Sequence, residues 1–264
     1  MKIPWPFVHS SIWRRFAPQF LPVRHPKHLI NAGYMIHLQI SDMKKSWWKI
    51  LCALMLLFIT TGGMLMQVPR KKILNETIRN SFFHVPMGFC MMALFICSVI
   101  YSIKYLSNQK LIYDIYAKEY ARTGLVFGLL GLVTGSIWAT YTWGQPWSND
   151  IKQVGAAIAL LIYAAYFVLR NSIPDLDKRA RVGAVYNIFA FAMLFPTIWI
   201  IPRLTESLHP GGTGNPVADP RNMDAPMALV MWLIAIPGWI LLGFWISSIN
   251  IRLRKIEDKN LLHV

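Results

Sequence analysis

Six apolar stretches, each close to the length of a membrane-crossing helix, recur along this chain, at about residues 47–66, 84–106, 121–141, 154–170, 183–203 and 226–250. A helix needs about 20 apolar residues to cross a hydrocarbon layer ~30 Å thick. Within lipid every backbone N–H and C=O must be paired inside the protein, which leaves only helices or closed barrels. Barrel strands alternate apolar and polar residues, and these stretches do not. The expected fold is all-α: a polytopic membrane bundle of about six transmembrane helices, forming one domain over residues 43–264.

The formal charge of +15 would point to nucleic acid in a soluble protein. Here its distribution points to topology. An even number of spans puts both termini on one side, and we place them in the cytoplasm. Fifteen Lys and Arg then fall inside, among them Lys44, Lys45, Lys104, Lys110, Lys178, Arg179, Arg252 and Arg254. Seven fall outside: Arg70, Lys71, Lys72, Arg79, Lys152, Arg203 and Arg221. The other five lie in residues 1–42. The positive-inside rule accounts for this bias, so the expected surroundings are membrane lipid and no nucleic acid. The same rule sends outward the loops at about 67–83 and 204–225 and the segment between the third and fourth spans.

Residues 1–42 hold five prolines and scattered bases but no span. They read as a poorly structured cytoplasmic tail, or as sequence upstream of a true start at Met43, just before Lys44-Lys45-Ser46-Trp47-Trp48. Cys52, Cys90 and Cys97 sit in predicted spans without a Cys-x-x-Cys pair, so thiol-redox and metal–thiolate roles have no support.

The outward segments carry the chemistry. Between the third and fourth spans runs Trp143-Gly144-Gln145-Pro146-Trp147-Ser148-Asn149-Asp150. Interfacial Trp is an ordinary membrane anchor, and Gly and Pro are ordinary turn residues. An acid beside the membrane is costly unless solvated or paired, so Asp150 asks for a partner. Of seven histidines, only His84 and His209 fall on the outer side. His84 begins the second span two residues before Pro86, a residue suited to the first turn of a helix. Two histidines and a Trp-rich loop on one face suit haem, a flat apolar ring whose iron takes axial His. His84 and His209 would ligate the metal, Trp143 and Trp147 would meet the ring, and Arg79, Lys152 or Arg203 would meet the propionates. Each residue also has a bland alternative, as a hydrogen-bonded surface group or a solvated charge.

These residues resemble the cytochrome c maturation protein C family, also called haem exporter protein C. Arg79 to Pro86 is similar to its Arg-x-x-x-x-His-Val-Pro. Val133-Thr134-Gly135-Ser136-Ile137-Trp138, followed by Trp143-Gly144, Trp147 and Asp150, resembles its Trp-rich signature. Leu208-His209-x-Gly211 matches a stretch after the fifth span. The resemblance covers about residues 47–255. There are departures. The family's third signature Trp is Asn149 here, and an Arg two past the Asp is Lys152, which keeps the charge but loses the planar fork. Trp199 stands where the family places its second axial His, three residues past Pro196. His209 matches a later His that some members carry, so the second ligand is His209 or another donor such as Met223 or water.

The resemblance implies non-covalent, transient binding of b-type haem at the periplasmic side of the plasma (inner) membrane. It implies partners: a periplasmic haem chaperone (maturation protein E), a small single-span protein (maturation protein D), and an ABC transporter of proteins A and B. The chain would orient a cofactor and perform no bond chemistry of its own, and no Ser/His/Asp set or Walker motif stands against that. A b-type electron-transfer subunit and a small-molecule permease are the alternatives. Histidines deep in a span would favour the first, and buried charges beside broken helices the second.

Overall fold

The computed structural model describes residues 32–209 and 223–262 of the chain, with side chains over 46–209 and 223–257. His9, His25, His28, His263 and the Gly- and Pro-rich run 210–222 lie outside the described residues, and His37 is described only as part of a helix. Contacts divide the chain into two units, Met1–Lys45 and Ser46–Val264.

The described secondary structure is helical throughout, and six helices are long and apolar enough to cross a membrane. They are Ser46–Leu65, Asn75–Asn108, Leu111–Trp143, Ile151–Asn171, Leu176–Leu204 and Ala225–Glu257. The first is the apolar part of α1 (Ala32–Leu65), which starts inside the segment set aside as a tail. The second is a 3-10 turn, Asn75–Asn80, running into α2 (Ser81–Asn108). α3 (Leu111–Trp143) and α4 (Ile151–Asn171) form the third and fourth. The fifth joins α5 (Leu176–Leu194) through a π-helical stretch, Phe195–Ile200, to α6 (Ile201–Leu204). The sixth joins α7 (Ala225–Val230) through a second π stretch, Met231–Ala235, to α8 (Ile236–Leu262).

α2 is the hub. It packs most extensively along α3 and also meets α5 and α8, while α4 lies against α3 and α5. Small residues set these close approaches, as is usual between membrane helices. A Cβ added at Gly243 of α8 would stand 2.4 Å from the Cys90 sulfur, and one at Gly128 of α3 would stand 2.4 Å from Leu160. The main buried cluster joins Met87, Leu94 and Phe95 of α2 to Phe127 of α3 and Leu160, Tyr163 and Tyr166 of α4.

Proline accounts for both π stretches. Ile201 donates its N–H to Pro196 O, and Ile236 donates to Met231 O, both i→i−5 bonds. The next residues are Pro202 and Pro237. A proline offers no N–H and clashes with the carbonyl four residues back, and one extra residue per turn relieves that clash. Each π turn thus ends directly before a proline.

Pro86 departs from expectation. The 3-10 turn precedes α2, so Pro86 lies inside the helix, beyond its first turn. Its missing N–H frees the carbonyl of Phe82. The indole Nε1–H of Trp239 on α8 donates to that carbonyl at 3.2 Å.

The opposite end of the bundle from the Trp loop holds polar groups that sequence reading passed over. Arg170, at the end of α4, makes a bidentate pair with Asp114 of α3, at 2.6 and 2.7 Å. The Arg170 guanidinium also lies 5.5 Å from the Tyr166 ring. Glu119 is buried near Lys118 and Arg122. Asn187 donates to Ser98 and Ser102 within the core.

Candidate functional site

Two cavities open at the Trp-loop end, of about 310 and 270 Å³, and His84, Gly135 and His209 line both. The larger is walled mainly by apolar and small residues, such as Val85, Gly88, Phe89 and Leu132, with Lys152 and Arg203 among its polar members. The smaller takes in Trp138, Trp143, Lys71 and Lys72.

His84 reaches this place from the first turn of α2. Its Nδ1 lies 3.0 Å from the Gly131 carbonyl and 3.3 Å from the Thr134 hydroxyl, both on α3. A carbonyl oxygen only accepts, so Nδ1 carries the proton and Nε2 keeps its lone pair. The ring sits edge-to-face with Trp138, centroids 5.9 Å apart. Trp138 is held in turn by donating Nε1–H to Thr77 Oγ1 at 3.0 Å.

His209 lies past the end of the fifth helix, yet it is only partly exposed. Its Nδ1 is 2.8 Å from Asp150 Oδ1, and its ring meets Trp143 edge-on at 4.9 Å. Asp150 is the N-cap of α4, accepting from Lys152 N at 2.9 Å. It also accepts from the Ser207 hydroxyl at 3.2 Å and from Leu208 N at 2.7 Å. One carboxylate thus ties the start of α4 to the loop after the fifth span. Burial works to raise the Asp150 carboxyl, but the N–H of Leu208, His209, the N–H of Lys152 and the Ser207 hydroxyl outweigh it and hold the group below its usual range. Burial pushes the His209 imidazole below its ordinary value, against the pull of Asp150 and with a push from Lys152. An ionised Asp150 facing a neutral His209 makes this contact a charge-assisted hydrogen bond. No hydrogen bond to Nε2 of either histidine occurs among the described residues.

The Trp loop turns by ordinary means. Gly144 ends α3 in the left-handed region, φ 82°, and donates its N–H to Thr140 O. A Cβ would strain that turn, so the role of Gly144 is to cap the helix. Asn149 is also left-handed, at φ 55°, and its Oδ1 accepts the Trp147 indole N–H at 2.7 Å. Trp147 is 41% exposed and lines neither cavity. Gln153, which sequence reading did not single out, pins the loop. Its Oε1 accepts from Ser148 N and Oγ, and its Nε2 donates to Pro146 O. An amide in the first turn of a helix, five residues past Ser148 and seven past Pro146, was the available signal.

Arg79 is engaged elsewhere. Its guanidinium donates to the carbonyls of Gly63 and Met66, at 3.0 and 2.6 Å, and pairs with Glu76. Those carbonyls close the end of α1, where a cation suits the helix terminus. Met223 packs with the apolar cluster around Phe82 and Met227. Trp199 lines the larger cavity, and Arg203 lies 4.9 Å from its ring.

The family model for Heme exporter protein C matches residues 31–261. A "Heme exporter protein C" of Bradyrhizobium diazoefficiens is 30% identical over 135 residues, 51% of each chain. One of Escherichia coli K12 is 23% identical over 188 residues, 71% of this chain and 72% of that one. A "Cytochrome c biogenesis protein CcsA" of Thermosynechococcus vestitus is 35% identical over 96 residues, 36% of this chain and 29% of that one. The chain thus spans about half the length of the first of these relatives and less of the last.

Proposed function

The chain belongs to the haem exporter protein C family, and on that premise we propose that it binds haem at the outer face of the plasma membrane and presents it to a periplasmic haem chaperone during c-type cytochrome maturation. The observation that carries this reading is the pair of imidazoles, His84 and His209, bordering the same two cavities, each with its Nδ1 engaged and with no hydrogen bond to its Nε2 among the described residues. Metal-binding histidines are commonly held this way, the second nitrogen donating to a carbonyl or carboxylate.

The surroundings fit haem as cargo. The larger cavity offers apolar walls, and small residues at Gly88, Gly131 and Gly135 leave room for a flat ring. Lys152 and Arg203 serve the propionates in this reading. No cysteine lines either cavity among the described residues, which suits b-type, non-covalent holding. His84 lies in the first turn of α2 and His209 beyond the fifth span, so the iron would sit at the membrane face and not midway between two leaflets. That placement favours handover to a water-soluble acceptor over electron transfer through the bilayer. The partners follow the family: maturation protein E as acceptor, maturation protein D as a stabiliser, and the A and B transporter for release. Both termini are cytoplasmic in this scheme, with the two cavities on the periplasmic side.

The test is an absorption spectrum of the purified protein beside His84→Ala and His209→Ala. A Soret band in wild type that both substitutions remove supports the reading. No band in wild type after haem is added overturns it and leaves a permease or scaffold.

A further inference from the structure

His84 and His209 are backed by different chemistry. Nδ1 of His84 faces a neutral backbone carbonyl, Gly131 O, at 3.0 Å. Nδ1 of His209 faces a carboxylate, Asp150 Oδ1, at 2.8 Å. A carboxylate attracts the shared proton more strongly than a carbonyl does, which leaves the imidazole richer in electrons at Nε2. In metal sites a carboxylate behind a histidine fixes the tautomer and raises the basicity of the ligand.

Asp150 is itself held in place. Its side chain is 1% exposed. A residue serving only to cap α4 needs the Lys152 N–H alone. Asp150 also takes Ser207 Oγ on Oδ1 and Leu208 N on Oδ2, both more than fifty residues away along the chain. Those two contacts leave the carboxylate little freedom to turn away from the imidazole.

Building on the haem reading above, we propose that Asp150 is a positioning residue that fixes His209 as the Nδ1–H tautomer and makes it the firmer of two haem donors, so that His84 is released first when haem passes to its acceptor. Release is a simple ligand exchange. The bond between iron and His84 Nε2 would break with its electron pair staying on the ring, a lone-pair donor of the acceptor would bond to the iron in its place, and neither Nδ1 proton would move.

The experiment has two arms on the full chain in detergent. In the haem-free protein, nitrogen-15 NMR of labelled histidine reports the tautomer. His209 is Nδ1–H in wild type, and Asp150→Asn loses that preference. In the haem-loaded protein, Asp150→Asn weakens haem retention about 10- to 100-fold, the range for loss of such a partner, and raises the reduction potential. Asp150→Glu partly restores both, while Ser207→Ala, which keeps the carboxylate, leaves the potential in place. Added imidazole restores six-coordinate haem to His84→Ala at a lower concentration than to His209→Ala. Equal shifts of potential in Asp150→Asn and Ser207→Ala would reduce Asp150 to ordering the loop and overturn the proposal. An unchanged tautomer in Asp150→Asn, or the reverse order of imidazole rescue, overturns it too. Those results leave haem bound, whereas absence of haem from wild type removes the haem reading itself.

Discussion

Gly135 leaves His84 the space its ring occupies: a Cβ at position 135 would stand 2.6 Å from His84 Cε1 and 3.1 Å from Nδ1. The ring is the far end of a side chain, so it can swing aside and the helices need not part. Gly135→Ala is therefore expected to keep the fold and move the imidazole. Alanine also favours a helix by about 1 kcal/mol over glycine, which offsets part of the crowding. The expected outcome is loss of haem absorbance with a melting temperature within a few degrees of wild type. An unchanged spectrum would mean that His84 does not need this position to bind.

Gly155 faces a harder obstacle. A Cβ there would lie 2.1 Å from the carbonyl oxygen of Thr197, inside the π-helical stretch of the fifth span. Backbone cannot swing aside as a ring can. Gly155→Ala should force α4 away from the fifth span, at about 1–3 kcal/mol, the usual cost of overpacking. Thermal unfolding in detergent measures this, and a melting temperature equal to wild type would show that the close approach is not maintained in solution.

Much of this architecture is legible in the sequence, and the reason is local. A run of about 20 apolar residues carries its own meaning in a membrane, so six spans emerge from composition alone. The family could be read from His84, the Trp loop and His209 because those residues lie in short stretches. What escaped depends on residues far apart in the chain. Nothing near Pro86 announces that Trp239 supplies the N–H its helix lacks. Nothing in the sequence joins Asp114 to Arg170 until α3 and α4 are laid side by side. Arg79 was a candidate propionate partner as an outer-side cation, yet it bonds to carbonyls at the end of α1 and to Glu76. The extra residue in each π turn does not show in periodicity, although Pro202 and Pro237 mark where it is needed.

Arg170 and Asp114 are both largely withdrawn from solvent, with side chains 5% and 14% exposed. Removing one partner from such a pair leaves an uncompensated charge and costs about 3–5 kcal/mol. Arg170→Ala should therefore destabilise strongly. The double substitution Asp114→Leu with Arg170→Met should recover most of the loss, because the desolvation cost of both charges disappears together. Detergent melting curves for the singles and the double decide this. A double variant as unstable as Arg170→Ala would mean that the guanidinium matters for another contact, such as its approach to Tyr166.

The Trp239–Phe82 contact gives a test in which one substitution should relieve another. Phe82 O has lost its helical partner because Pro86 has no N–H, and Trp239 supplies the replacement at 3.2 Å. Trp239→Phe keeps most of the ring but removes the donor, leaving a buried acceptor unsatisfied at about 1–3 kcal/mol. Pro86→Ala restores an N–H four residues after Phe82, so α2 can close its own bond. In that background Trp239→Phe should cost less. The expected coupling is about 1 kcal/mol, within the range for residues sharing one hydrogen-bond network. Purely additive losses in the four melting curves would show that the indole is kept for its edge-to-face contacts with Phe83 and Phe127, and that water or a shift in α2 satisfies the carbonyl.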